Sequence, residues 1–481
     1  MRRNIVFVVL LALLGVLGSS LLLGASKTRA AARAWFEGGA APLPSASQAA
    51  VASAAPSASV AAPAPSASAA EPKPVVDRSL AVVGMGWELL APGLLAAEGF
   101  KSTPSSAFGN ADVRVSLSIA NTLADVERAL AAGGASNGAD VAVLPLSELV
   151  AAYERLRALE PRVFFVSGWS QGRDRLTGAP LSKLPAAGDI TLGYAGGADS
   201  LGLGLLTLDM AGVALERVKL AERDSGALLR ASSGVVVDSG SPKQEDVALS
   251  TREATRLLPY VLVAARPLLD EREAVLAAFV RGWLGGTDAL LKDRAKASRT
   301  LAALEGAPEA IGLLHALGDI EPIRLYENAA LLGLSGRSAL SAEWLCDSQF
   351  RVRRAAHVSQ ASTSESSLVD GRVVARLVRS QPSLVQAPEA PKRRPGGSVV
   401  LLERSFAKDD EQAVSDALGL LAAVFPRHDL RLTLSGKSDK VHAEWLDRAA
   451  ARYDLDRARL SVGKAPARPG RAVLLEVLRA P

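Results

Sequence analysis

One stretch limits the possible folds of this chain more than any other: ADVAVLPLSELVAAYERLRALEPRVFFVSGWSQGRDRLTG, from Ala139 to Gly178. Ala139 to Leu144 is short and Val-rich, with Asp140 near its start. Pro145 ends it, since proline cannot donate to a sheet ladder. From Glu148 to Leu159 the apolar residues Leu149, Val150, Tyr153, Leu156 and Leu159 fall on one helix face. Arg162 to Val166 is again Val- and Phe-rich, and the polar run Ser167–Asp174 holds two glycines. Strand, helix and strand in this space read as a βαβ unit with parallel strands. In open α/β sheets ligands sit beyond the carboxyl ends of the strands, so Pro145–Ser147 and Ser167–Asp174 become candidate ligand loops.

The same alternation extends on both sides. Ser79 opens a strand ending in Gly84-Met-Gly86, followed by a helix over Trp87–Ala97 that contains Pro92. A strand at Val113–Ser118 and a helix at Leu123–Ala132 complete a first lobe of order β-α-β-α-β-α-β. A second lobe is expected from Asp189, with strands at Ile190–Tyr194, Val218–Ala221 and Gly234–Asp238. Its helix over Leu201–Ala211 has Asp199 and Ser200 placed to cap it or to meet a ligand. Leu258–Arg266 reads as a returning strand. Helices follow at Asp270–Leu291, Ala295–Leu304, Pro308–Leu317 and Glu343–Val352. The single cysteine, Cys346, rules out an intramolecular disulfide and reads as a small core residue.

The N-terminal part is different in kind. Arg2 and Arg3 precede an uncharged apolar span from Ile5 to Ala25, the length of a membrane-crossing helix, so residues 1–37 are read as a signal anchor. Ala30–Ala32 offers a cleavage site as the alternative. Residues 38–75 are Ala, Pro and Ser almost throughout and carry no charge between Glu37 and Glu71, the composition of a disordered tether. This places the chain in the inner membrane, single-pass, with its bulk in the periplasm. A net charge of +5 over 481 residues and 4% aromatics argue against a nucleic-acid partner.

Asp140-Val-Ala-Val and Val163-Phe-Phe-Val-Ser-Gly-Trp-Ser-Gln-Gly-Arg-Asp174 resemble segments of the solute-binding proteins of ABC importers, in the nitrate/sulfonate/taurine class. Trp169, Ser170, Gly172 and Asp174 match a loop form of that class, with Gly168 where its leading Asp stands. The resemblance covers Ser79 to Leu377. It implies an α/β, two-lobed, type 2 periplasmic-binding-protein fold over residues 76–379, a small-molecule solute in the interlobe cleft, an ABC permease as partner, no cofactor and no enzymatic activity. On this reading the ligand-binding residues are Gly86, Trp87, Ser147, Ser167, Trp169, Ser170, Asp174, Tyr194, Ser200 and Asp238. Arg173 is the only full positive charge in these loops, while Asp174 and Asp238 suit a cation, so the sign of the solute stays open. Trp169 reads either as a flat wall of the cleft or as a residue packed beneath the loop.

Residues 380–397, with three prolines and Lys392-Arg-Arg394, form a second linker. Residues 398–481 read as β-α-β-α-β, and Leu430-Arg-Leu-Thr-Leu-Ser-Gly-Lys-Ser-Asp439 resembles the OmpA-like peptidoglycan-binding domain, a small α+β fold. Lys437 and Ser438 replace that family's His and Thr. Arg448-Ala449 lacks the preceding Leu-Ser, so the grip on a peptide stem is missing. Enzyme motifs are weak. The histidines show no metal-ligand spacing, and Gly168-Trp-Ser170-Gln-Gly172, though it fits a nucleophile elbow letter by letter, is not followed by a helix pattern. The rival reading is an envelope scaffold or sensor that uses both domains for protein contacts. A reporter active only in the cytoplasm, fused after Arg78, will be silent; strong activity there reverses the orientation. Residues 398–481 will not co-pellet with purified sacculi in a salt-resistant manner; co-pelleting would restore the peptidoglycan grip.

Overall fold

The computed structural model describes residues 78–184, 189–195, 197–222, 229–233, 247–359, 361, 368–386, 399–463 and 471–479. The expected anchor, tether, Gly234–Asp238 strand and most of the second linker lie outside these residues.

The first lobe is built from β1 (Leu80–Met85), α1 (Trp87–Ala97), the short α2 (Ala107–Asn110), β2 (Val115–Ala120), α3 (Leu123–Ala132), β3 (Val141–Pro145), α4 (Leu146–Leu156) and β4 (Pro161–Ser170). The second lobe holds β5 (Asp174–Gly178), β6 (Ile190–Ala195), α5 (Ala198–Met210), β7 (Val218–Glu222), β8 (Leu229–Ser233) and β9 (Val247–Ser250). The chain then returns to the first lobe as β10 (Pro259–Ala265), α6 (Arg266–Lys292), α7 (Arg294–Ala302), α8 (Ala310–Gly318), β11 (Ile320–Pro322), α9 (Leu325–Leu331), α10 (Ala342–Ala355) and α11 (Arg372–Ser380).

The first sheet runs β11-β4-β10-β3-β1-β2, with β1, β2 and β3 parallel and β10 antiparallel to both β3 and β4. The expected βαβ unit therefore has β3 and β4 pointing the same way, but the returning strand β10 lies between them. The second sheet runs β7-β6-β8-β5-β9 and starts at Asp174 rather than near Asp189. β5 was expected as loop. It buries Asp174 and Leu176 and exposes Arg175, so a polar residue occupies a core-facing strand position and hides the period of two.

The other large correction is at β4, which continues as strand through Ser167, Gly168, Trp169 and Ser170, all buried. Its register with β10 skips Ser167 and Phe164, so two bulges bend it. Asn328 on α9 secures the bend: the Val166 N–H donates to Asn328 Oδ1 (2.8 Å) and Asn328 Nδ2 donates to the Val166 carbonyl (2.9 Å). The crossover loop is thus only Gln171–Arg173.

β12 (Val400–Phe406), α12 (Glu411–Val424), β13 (Asp429–Leu434), α13 (Asp439–Tyr453), β14 (Leu460–Val462) and β15 (Val473–Leu478) form a separate sheet of order β12-β15-β13-β14. The expected β-α-β-α-β order is present with one added short strand, β14, parallel to β13. This unit rests on the return crossover. The Arg256 N–H donates to the Val424 carbonyl (3.4 Å), and Arg479 pairs with Glu253 (3.0 Å). Arg427 also reaches Glu321 on β11 (3.4 Å).

The first-lobe core depends on α1 and α6 approaching closely. Trp283 sits over Gly93, and Phe108 stacks on Phe279 at 5.3 Å between ring centres. A Cβ at Gly286 would stand 1.8 Å from the Pro92 carbonyl oxygen, a backbone atom that cannot swing away. α6 is long and apolar, but two thirds of its most apolar window is buried, as in a core helix. Gly286→Ala should destabilise the fold by about 1–3 kcal/mol through overpacking. Urea unfolding will measure it, and an unchanged midpoint would mean these helices do not meet as described.

Candidate functional site

The two lobes are joined by two crossovers, Gln171–Arg173 outward and Thr251–Leu258 back. They are laced to each other around one hydroxyl. Thr251 Oγ1 accepts from the Gly172 N–H (2.7 Å) and lies 2.9 Å from Ser170 Oγ, while the Thr251 N–H donates to the Asp174 carbonyl (3.0 Å). Ser170 Oγ donates to Asp174 Oδ2 (2.5 Å), and the Ser170 N–H donates to the Leu258 carbonyl (2.9 Å). Gly172 has φ of 96°, a backbone state that glycine adopts freely.

Beside this lacing, polar groups from the two lobes meet out of water. Ser147, in the first turn of α4, donates to Asp199 in the first turn of α5. Its neighbour Glu148 takes the first N–H of α5, Ala198 N, at 3.0 Å, filling the seat an anion takes at a helix N-terminus. Gly197, with φ of 88°, lets that carboxylate approach; its Cβ would lie 2.9 Å from Glu148 Oε1. Arg353 on α10 donates from one nitrogen to the Ser147 carbonyl (3.2 Å) and the Ala198 carbonyl (3.0 Å), bridging the lobes. Arg173 donates to Glu88 Oε1 on α1 (2.5 Å).

Burial shapes the charges here. Burial first, and then the facing charge of Asp174, push the Asp199 carboxyl up to about 8; Glu148 adds to this, and the Ser147 hydrogen bond and Arg173 offset it only in part. Tyr260, on β10, is held well above its ordinary range by burial and by Asp174. Burial also pulls Arg353 below its ordinary value, against Glu148 and Asp199. Burial disfavours the Arg173 charge as well, yet Tyr260, Glu88 and Asp174 around it hold its pKa above the usual one. Among the described residues both amide atoms of Gln349 and the Nε atoms of Arg173 and Arg353 are buried with no hydrogen-bond partner. Buried polar groups are rarely left so, and here several share one place.

Of the residues expected to bind ligand, Ser147, Ser170 and Asp174 come together here. Ser200 is buried one residue beyond Asp199, but its hydroxyl is turned to the Gly197 carbonyl (3.1 Å). Neither it nor Asp199 caps α5, whose N-cap is Gly197. Ser167 lies inside β4 with its hydroxyl on the Tyr260 carbonyl (3.2 Å). Gly86 caps α1 with φ of 98°, and Trp87 packs edge-on to Phe100 at 5.7 Å. Tyr194 is half-buried on β6, and Asp238 lies outside the described residues.

Trp169 is not a wall of this site. Adjacent strand residues face opposite ways, so Ser170 turns to Asp174 and Trp169 turns the other way. It is 2% exposed and lines a cavity of about 320 Å³ with Arg256, Tyr326, Leu331, Ala422 and Pro426, between the first lobe and the C-terminal unit. Ser170 also fails as an elbow nucleophile: it ends a strand, another strand follows, and its partners are Asp174 and Thr251. Cys346 is buried on α10, and burial pushes its thiol up, as suits a core residue. Among the described residues no cluster of His, Cys, Asp or Glu is arranged to hold a metal ion.

Sequence reading missed Glu88, Glu148, Thr251, Tyr260, Gln349 and Arg353. Gln349 and Arg353 carried a signal, since they share a helix face with Leu345 and Val352 and so put polar groups on a buried stripe.

No model of a known protein family matches the chain, and no curated protein matches it. Solved structures align with it at low identity. A putative sulfonate-binding protein of an ABC transporter from Methylobacillus flagellatus covers 66% of this chain and 98% of its own, with 11% identity and a TM-score of 0.41. The ligand-binding component of an ABC-type import system from Staphylococcus aureus, solved with zinc bound, covers 62% and 98%, with 11% identity and a TM-score of 0.39. The nitrate-binding protein of Synechocystis PCC 6803 covers 61% and 92%, with 11% identity and a TM-score of 0.36. All three are described as binding proteins and none as an enzyme. At these values it is the chain's own topology and side chains that carry the functional reading.

A carboxyl whose folded-state pKa lies above its unfolded value, about 3.9 for Asp, favours folding while protonated. The contribution of Asp199 is therefore full below about pH 4 and is lost as the pH rises through about 8. Asp199→Asn should remove that dependence. The difference in unfolding free energy between variant and parent should change by up to about 1.4 kcal/mol per pH unit across this window, in favour of the variant at high pH. Parallel curves from pH 5 to 9 would show that Asp199 is not buried beside Asp174.

Proposed function

We propose that this chain is an extracytoplasmic solute-binding protein, held on the outer face of the inner membrane by its apolar N-terminal span. Its two lobes close over a small solute that an ABC-type permease receives. The observation that carries this reading is the lobe boundary itself. Two crossovers tied at Thr251 make a narrow hinge, and beside it polar groups from both lobes meet in a buried layer with hydrogen-bonding capacity left over. The sequence resemblance to importer binding proteins points the same way, and the Ala-, Pro- and Ser-rich tether gives the body reach from the membrane. The C-terminal unit is read as an OmpA-like fold kept without its peptidoglycan grip.

The scaffold reading has one observation in its favour. Ser147–Asp199, Glu148–Ala198 and Arg173–Glu88 join the lobes directly, as a permanently closed pair would be joined. Thermal unfolding of the full chain in detergent, with panels of small oxyanions and amines, separates the two. A solute at 100 times its dissociation constant adds about 2.7 kcal/mol to the folded state. A shift with one chemical class is expected; no shift with any solute favours the scaffold.

A further inference from the structure

Resting on the solute-binding reading above, we propose that the solute carries a protonated amino group, held between Asp174 of the crossover side and Asp199 of α5, with Tyr260 and Gln349 completing its shell. Asp174 is 0% exposed and Asp199 is 6% exposed; Tyr260 of β10 lies between them, paired with Pro145 of β3, two residues before the Ser147 that holds Asp199, and with Gly168 of β4, two residues before the Ser170 that holds Asp174, and Asp174 raises the cost of the Asp199 charge. Two like charges buried against one another are stable only with a proton or a cation between them. The Tyr260 hydroxyl, 1% exposed, stands within the field of both carboxylates and beside the Ser170 hydroxyl. Gln349, also 1% exposed, has both amide atoms unpartnered and lies against Gly202, one helical turn from Asp199. An ammonium group has three N–H donors and no acceptor. Two carboxylates and the oxygen of Tyr260 or Gln349 supply three acceptors.

The same place is poorly built for an anion. The α5 N-terminus is already filled by Glu148, Arg173 is engaged by Glu88, and Arg353 gives a nitrogen to two backbone carbonyls, which leaves only the Nε of each guanidinium buried without a partner. Four carboxylates, of Glu88, Glu148, Asp174 and Asp199, face two guanidiniums. With no His or Cys among them the place does not suit zinc or copper, and among the described residues no group of three or more His, Cys, Asp or Glu is arranged to hold a metal ion of any kind.

The proposal makes a proton visible. The charged and titratable groups facing Asp199 are Asp174 on β5, Glu148 on α4, Arg173 on the crossover, Tyr260 on β10 and Arg353 on α10. An ammonium seated against Asp199 expels the proton that the carboxyl carries near neutral pH.

Titration calorimetry on the full chain in detergent tests this with ethanolamine and putrescine as primary amines, glycine betaine as a quaternary ammonium without N–H donors, and nitrate, sulfate and methanesulfonate as anions. The expected result is binding of a primary amine, with release of up to one proton at pH 7 and affinity rising up to about tenfold per pH unit from 6 to 8. Betaine and the anions should fail. Asp199→Asn should weaken amine binding at least tenfold and abolish proton release, while its melting temperature at pH 7 does not fall, because the amide, unlike the carboxyl, need take up no proton on folding. Binding of an anion but of no amine would overturn the amine assignment and leave the solute-binding reading standing. Binding of the amine to Asp199→Asn without loss would place the amine elsewhere and overturn it. A chain that binds no member of either set defeats both.

Discussion

The hydroxyl of Thr251 ties the two halves of this protein together. It takes an N–H from one crossover, meets the hydroxyl of Ser170 at the end of β4, and sits on the backbone that orders Asp174. A buried hydroxyl with these contacts cannot be replaced by an apolar group without leaving donors unpaired, at a cost of about 1–3 kcal/mol each. The consequence for the rest of the molecule is geometric. Because both crossovers are pinned at one spot, α4 and α5 start from fixed positions and their first turns face each other. Ser147, Glu148 and Asp199 then meet as a matter of where the strands end.

This explains why so much of the first lobe could be read from sequence and so little of the site. The strand–helix alternation gave α1 over Trp87–Ala97 and β15 over Val473–Leu478, with the bounds later observed. Those elements have regular apolar periods and clear breakers. β5 and the last four residues of β4 were read as loop because Asp174, Ser167 and Ser170 are polar residues in buried strand positions, where periodicity arguments expect apolar ones. β8, β9 and β14 are only three to five residues long, too short to show a period. The Trp169 question was settled by strand alternation: once Gly168-Trp-Ser170 is strand, Trp169 and Ser170 cannot share a face.

The site was hidden for a different reason. Asp174 and Asp199 are 25 positions apart, and Tyr260 and Gln349 arrive from much farther along the chain. Nothing local marks them as neighbours. What sequence could show was a conflict, polar Gln349 and Arg353 on the apolar face of α10, and such conflicts between local pattern and burial concentrate at functional sites. The lobe boundary has the same character. Carboxylates, guanidiniums and unpaired amide groups are kept out of water where an apolar interface would have been more stable.

The position of the C-terminal unit bears on how tightly such a site can hold anything. It touches Glu253 and Arg256 on the return crossover, Glu321 on the first lobe and, through β12, the Leu181–Lys183 turn of the second. Separating the lobes therefore means sliding them against a third body, so the open form becomes a rarer member of the ensemble. If only one molecule in about 100 is open to receive a solute, the apparent dissociation constant is about 100-fold weaker than the intrinsic one. On the proposed solute-binding reading, Arg427 and Arg479, which reach Glu321 and Glu253, become determinants of affinity through this population term.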